Sequence, residues 1–351
     1  MIVKNERHVI QRCLESVKGF IDYWVIVDTG STDGTQELIR EMMTGIPGEL
    51  YERPWVHFAH NRTEALDLAK NKGDFILFMD ADEYLVFPNG PFKPLLDKEA
   101  YLIPYQNEQK SHTYYRVALI DNHLPWKWEN EIHESIVSLI DRPKTHEYLA
   151  QIINVTSNDG QRSKDPQKAL KDAAILEKMI EKDPTNSRHV FYLAQSYHEA
   201  QEHDKAMQNY AKRAIMGGCE QERFWSLYML ARLQEFKKMD REEIIRTYTL
   251  AHLLRPTRAE PLYGLIRLFE EQSNYLLAYY IAKEASQIPL CKDMMYVEKW
   301  IYNYGILLEL ANTAFHLGKF QEAKETCLNI LKVKDLPESI RAIVENNLKA
   351  I

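Results

Sequence analysis

Three acids, Asp80, Asp82 and Glu83, follow almost directly on the apolar run Phe75-Ile-Leu-Phe-Met79. That run, bounded by Gly73, reads as a buried strand rather than a half-exposed one. The acids therefore stand where a strand leaves its sheet. Carboxylates at i and i+2 in such a place aim oxygen ligands at one spot above the sheet. Hard divalent cations such as Mg2+ and Mn2+ take oxygens of this kind, with one or two protein carboxylates and the rest from substrate phosphate. The plain alternative is a strand followed by a solvated acidic turn, and the segments upstream weigh between the two.

Upstream, Trp24-Val-Ile-Val27 reads as a second buried strand and ends in Asp28-Thr-Gly-Ser-Thr-Asp-Gly-Thr35, before a helix striped by Leu38, Ile39, Met42 and Met43. Strand, polar Gly-rich loop, helix and strand form the rhythm of a βαβ unit with a parallel sheet. In such sheets ligands bind beyond the carboxyl ends of the strands, where both acidic loops fall. A helix cap at Ser31 or Thr32 explains one or two of these polar residues, but not the whole loop. Between the loops, His60-Asn61-Arg62 opens a helix carrying Ala65, Leu66, Leu68 and Ala69. Arg62 there suits a diphosphate as well as a surface salt bridge.

Met1-Ile-Val-Lys-Asn-Glu6, Asp28 to Thr35, Asn61-Arg62 and Phe78-Met-Asp-Ala-Asp-Glu83 occur in this order and spacing. The ordered set resembles a family 2 glycosyltransferase with the GT-A fold. The resemblance implies an α/β, Rossmann-like, mostly parallel sheet and a nucleotide-sugar donor, usually a UDP-sugar, with Mn2+ or Mg2+ at its diphosphate. It places Val3, Glu6, Asp28, Arg62 and Asp80 at the donor, with Glu6 and Asp28 on the uridine, and makes Asp82 the direct metal ligand. The chemistry it implies is hexosyl transfer with inversion at the anomeric carbon. Only three residues precede Lys4, so the first strand is either very short or begins upstream.

Farther on, Tyr101 to Tyr105 and Tyr114 to Ile120 read as strands, followed by Trp126-Lys-Trp-Glu-Asn-Glu-Ile-His-Glu-Ser135. Aromatic faces and carboxylates in close succession suit a sugar site. By the same resemblance Trp128 lines the sugar pocket, Glu134 is the acceptor base and His133 is a third metal ligand. Glu129 and Glu131 compete for the base, and a histidine satisfied by ordinary hydrogen bonds is the plainer reading of His133. Asp159 and Arg162 either close over the diphosphate or belong to a linker.

The period changes after about residue 160. Tyr192-Leu-Ala194, Tyr197, Ala206, Tyr210 and Ala214 match a helix–turn–helix unit, and Leu230-Ala231, Tyr248, Ala251, Leu254 and Pro256 echo it. Leu310-Ala311, Ala314, Gly318, Phe320, Ala323 and Ile330 give another copy, with a weaker one from Pro261 to Ala282. These units resemble tetratricopeptide repeats, somewhat degenerate. The expected organisation is a catalytic domain over 1–160 and an all-α repeat domain over 161–351. Such a fusion resembles a group that includes peptide S-glycosyltransferases, which implies a protein, peptide or glycan acceptor. Repeat helices often pair chains, which leaves a homodimer through the repeat domain open.

The net charge of −7 supplies no basic footprint and disfavours a nucleic-acid partner. Hydrophobic residues at 45% and charged residues at 27% are ordinary for a soluble globular protein. Cys13, Cys219, Cys291 and Cys327 show no zinc or CxxC spacing and fit free thiols in a reducing compartment. No apolar run approaches the roughly 20 residues of a membrane span, and no signal-peptide pattern opens the chain, so a cytoplasmic protein is expected. Two other readings compete: a nucleotidyltransferase, which wants a basic Gly-rich loop that Lys4-Asn-Glu-Arg7 does not supply, and a repeat-type interaction module carrying an inactive GT-A domain.

Overall fold

The short apolar runs and amphipathic stretches of the N-terminal half fold as β1 (Ile2–Val3), α1 (Ile10–Val17), β2 (Trp24–Asp28), α2 (Thr35–Met42), β3 (Gly48–Glu52), α3 (Phe58–Leu68) and β4 (Phe75–Leu77). They continue as β5 (Glu83–Val86), β6 (Ala100–Asn107), β7 (Thr113–Asp121), β8 (Trp126–Glu129), β9 (Ser135–Ser138), β10 (His146–Tyr148) and β11 (Ile153–Thr156). This computed structural model describes residues 1–90, 92–108, 113–141 and 145–351. Contacts divide the chain into two units, Met1–Lys178 and Met179–Ile351. The division falls inside α4 (Lys168–Lys182).

In the first unit β1, β2 and β3 form a parallel sheet, as the βαβ rhythm predicts. β1 is two residues long, with Ile2 opposite Val27 and Val3 opposite Asp28. A second, six-stranded sheet runs β4-β7-β6-β11-β5, with β10 on β6. It is mixed: β4·β7, β6·β7 and β5·β11 are antiparallel, while β11 and β10 run parallel to β6. β6 ends at Asn107 and β7 begins at Thr113, a gap too short for the dozen or so residues of a parallel crossover, so the two pair antiparallel. The wholly parallel sheet is thus the one that carries the Asp28 loop.

Phe75, Ile76 and Leu77 are half-buried, not buried as the unbroken apolar run suggests. They line a cavity of about 460 Å3 together with Met1, Trp24 and Ile26. Met79, two residues beyond Leu77, is buried beside Cys13, Val17 and Tyr101 in the main core of the unit. The core therefore anchors the chain immediately before Asp80.

In the second unit α5 (Ser187–Glu199) pairs with α6 (His203–Ile215), and α7 (Glu220–Phe236) with α8 (Arg241–Leu254). α9 (Glu260–Glu271) pairs with α10 (Tyr275–Ala285), and α11 (Ile306–His316) with α12 (Phe320–Ile330), before α13 (Glu338–Ala350). Each pair turns through one left-handed residue: Gln201 (φ 60°), Lys238 (φ 52°), Ser273 (φ 55°) and Gly318 (φ 71°). The next N–H bonds back to the preceding helix: Glu202 to Tyr197, Met239 to Gln234, Asn274 to Phe269 and Lys319 to Ala314, at 2.9–3.0 Å. This is one helix-ending motif used four times. Small residues let the helices close up; a Cβ added at Gly264 would come within 2.5 Å of the buried Tyr248 ring. Among the described residues no helix is long and apolar enough to cross a membrane.

Two outcomes follow from these elements. Lys238 adopts a backbone that glycine enters without Cβ strain, so Lys238→Gly should raise stability by about 0.5–1 kcal/mol in urea unfolding. Glu270 accepts a hydrogen bond from Asn312, and burial together with the charge of Glu309 raises its pKa to about 7. The folded state therefore keeps a proton that the unfolded chain gives up near pH 4.5. Glu270 should make stability fall as pH rises between these values and level off above about 7. Thermal midpoints from pH 4 to 8 should show this slope, and Glu270→Gln should flatten it.

Candidate active site

The two loops that follow the parallel strands are tied to each other. Asn5, at φ 57°, donates its N–H to Ser31 Oγ and accepts from Thr32 N, both at 2.8 Å. Glu6 N donates to Thr35 Oγ1 at 2.9 Å. Val3 is core, and its carbonyl accepts from Thr29 N and Oγ1 at 2.9 and 3.0 Å. Asp28 is fully buried; its Oδ1 accepts from Gly30 N and Ser31 N at 2.8 Å each. Its other oxygen, Oδ2, is buried without a hydrogen-bond partner among the described residues. A buried carboxylate oxygen in that state costs free energy that a ligand N–H would recover.

Arg62 is the hub of the site. α3 carries it, and Asn61 fixes the chain entering that helix by accepting from Val56 N and donating to Pro54 O, both at 2.9 Å. Arg62 Nε donates to Glu134 Oε1 and Nη2 to Asp80 Oδ1, each at 2.6 Å. Its side chain is 9% exposed and lies 5.2 Å from the Trp128 ring. One guanidinium thus joins the acid after β4 to the acid before β9. Trp128 is itself buried, edge-on to Phe78 at 4.9 Å. Its ring supports the arginine and also lines the 460 Å3 cavity beside β4.

Burial pushes the pKa of Asp80 up, but the charges of Arg62 and Arg116 outweigh it and hold the carboxyl below the usual range. Glu83 turns inward: its Oε2 accepts from Asp80 N and Asn154 Nδ2 at 3.0 Å each. Burial, with the charge of Asp80 behind it, lifts Glu83 to about 7. Asp82 points differently. Among the described residues it has no ion-pair partner, and burial together with the charge of Asp80 raises its pKa.

The chain after β11 crosses beside Asp82. Ser157 Oγ donates to Asp82 O at 2.7 Å, and a Cβ added at Gly160 would meet Asp82 Oδ2 at 3.0 Å. Glu6 receives Gln161 N at 3.1 and 3.2 Å, and burial, opposed in part by this bond, raises its pKa. Asp159 is held by Arg12 and Ser157, and His8 meets its carbonyl at 2.8 Å. Arg162 pairs with Asp172 and covers the Phe58 ring at 4.7 Å.

The sequence-predicted residues therefore fall into two groups. Arg62, Asp80, Glu134 and Trp128 meet around one guanidinium, while Asp82 and Glu6 meet at the segment through Gly160. His133 sits in the β8–β9 turn at φ 51°. Among the described residues no three His, Cys, Asp or Glu side chains gather as metal ligands, so His133 joins no such group. Glu129, a rival for the base, pairs with Lys127 at 2.7 Å. Sequence reasoning missed Arg116 and Asn154, and it named Glu83 without foreseeing its inward contacts with Asp80 N and Asn154. The signal for Arg116 was a lone charge inside the strand run Tyr114 to Ile120.

Residues 1–89 match the family model described as Glycosyl transferase family 2. An uncharacterized glycosyltransferase of Rickettsia bellii is 32% identical over 123 residues, 35% of this chain and 37% of that protein. A TPR repeat-containing protein of Synechococcus elongatus is 38% identical over 87 residues, 24% of this chain and 20% of that one. The chain thus spans well under half the length of either relative. A crystal structure of MamA aligns with TM-score 0.39 at 15% identity, over 50% of this chain and 92% of MamA. The family match and the helix pairing together bear out the combination of a family 2 glycosyltransferase segment with tetratricopeptide-like repeats.

Removing Arg62 leaves Asp80 and the 10%-exposed Glu134 without their shared cation. Arg62→Met should cost about 3–5 kcal/mol in urea unfolding. Adding Glu134→Gln should restore part of that loss, and strict additivity of the two would argue against the bridge.

Proposed function

We propose that the chain, through its family 2 segment, is a metal-dependent inverting glycosyltransferase. It moves a hexosyl group from a UDP-sugar to a protein, peptide or glycan acceptor. The observation that carries this reading is the pairing of Asp80 and Glu134 on Arg62, two residues from an Asp82 carboxylate that has no cation partner among the described residues. The catalytic part is assigned to 1–160 and the repeat part to 161–351, and the free thiols fit a cytoplasmic setting.

Asp28 offers its unpartnered Oδ2 to an N–H of the nucleobase. Glu134, oriented by Arg62, takes the proton from the acceptor nucleophile while that atom bonds to the anomeric carbon and the bond to the diphosphate oxygen breaks. Asp82 suits a hard cation: burial and the neighbouring Asp80 disfavour its bare charge, and its donor atoms are oxygens. Asp82 would hold the metal, with Asp80 nearer the ribose. A bound Mn2+ or Mg2+ supplies neutralisation of the charge developing on the departing diphosphate.

The test is a thermal-shift screen of UDP-, GDP- and dTDP-sugars with and without Mn2+. A ligand at about 100 times its Kd adds roughly 2.7 kcal/mol of stability, so one UDP-sugar should raise the midpoint only with metal. No shift with any donor would overturn the reading. Asp82→Ala should reduce transfer on the order of 10²–10³-fold, as loss of a preorganised charge stabiliser does, with little change in the midpoint without ligand.

A further inference from the structure

Two arginines face the Asp80 turn, and they are in different states. Arg62 is spent: Nε and Nη2 each donate to a carboxylate at 2.6 Å, and the side chain is 9% exposed. Arg116, on β7 opposite Ile103 of β6, is not. Its Nη1 stands 4.0 Å from Asp80 Oδ2 and 3.9 Å from Glu83 Oε1, too far for hydrogen bonds. Among the described residues none accepts a hydrogen bond from it, and the side chain is 30% exposed. The guanidinium lies 5.6 Å from the Tyr105 ring and 6.0 Å from the Trp128 ring. A planar cation with its donors unused is suited to a bidentate oxyanion.

We infer that Arg116, and not Arg62, is the residue that binds the ligand's oxyanion in this site, with the donor diphosphate as the source. The inference rests on the functional reading above. Asp80 lies two residues from Asp82, so a diphosphate drawn to that turn comes within reach of the Arg116 fork. Arg62 instead positions Asp80 and Glu134. The same chemistry has a second source, a carboxylate on an acidic acceptor peptide.

Calorimetric titration of the full chain with Mn2+ separates these cases, using UDP, uridine, inorganic pyrophosphate and an Asp-rich peptide as probes. Charge-assisted hydrogen bonds contribute about 1.5–3 kcal/mol. Arg116→Met should therefore weaken UDP and pyrophosphate about 10- to 100-fold and leave uridine unchanged, the uridine arm showing that the variant is folded. Arg116→Lys should recover part of the loss. A loss confined to the Asp-rich peptide supports the oxyanion role and assigns it to the acceptor. Unchanged UDP and pyrophosphate affinity in Arg116→Met, with the peptide also unchanged, overturns the inference while the functional reading stands. A parent protein that binds neither UDP nor pyrophosphate overturns both.

Discussion

A single nearly buried guanidinium, that of Arg62, sets the geometry on which the candidate site depends. It joins residues 18 and 72 positions away in the chain, Asp80 and Glu134. Each carboxylate alone would have to be rehydrated or protonated as the core closes over it. Together around one fork they share one cation and are neutralised in part. This is also why Trp128 is where it is. The ring fills the space beneath the fork, so the arginine keeps one orientation while its stem stays out of water.

Asp82 differs in kind. Its neighbours add repulsion: Asp80 and Asp159 raise its cost, and the charge of Asp82 in turn raises the pKa of Glu6. The segment from Ser157 to Gln161 nonetheless packs against this turn, held by Arg12, His8 and the Glu6 carboxylate. The fold therefore invests its binding partners in holding the backbone around Asp82, while leaving the carboxylate itself unneutralised. Burial and the charge of Asp80 disfavour the bare carboxylate, and backbone hydrogen bonds from Asp82 and Gly160 offset this only in part.

What could be read in the sequence follows from what is local. The acidic loops, the parallel β1–β3 sheet and the helix pairs depend on patterns a few residues long, and these were legible. The mixed sheet was less so, because β4·β7 and β5·β11 pair strands distant in sequence. The repeats looked degenerate for a physical reason: three of the four left-handed turns carry Gln201, Lys238 and Ser273 where glycine would have announced them. Glu6 shows the opposite limit. Its motif was visible, yet its contact with Gln161 joins positions 155 residues apart, and no spacing rule contains that.

The last irregularity, the long connection between α10 and α11, bears on what the helical unit is free to bind. Asp293 is held by both Arg255 and Arg258, and Arg258 also pairs with Glu260 in a buried network. Met294 N and Met295 N donate to Gln221 Oε1 at 3.0 and 3.1 Å, the Tyr296 ring lies 4.8 Å from Trp225, and Tyr296 OH donates to Gln195. Glu298 then meets Tyr228 and Arg232. Main-chain clamping by a side-chain amide, an aromatic contact and an acid on an arginine are the terms in which a groove recognises an extended peptide. Here the chain supplies that peptide itself. Displacing it would strand Arg258 and Glu260 without Asp293, a buried network that is expensive to break. This face of α5 and α7 is consequently part of the unit's own core and is closed to an outside peptide by the chain's own connection.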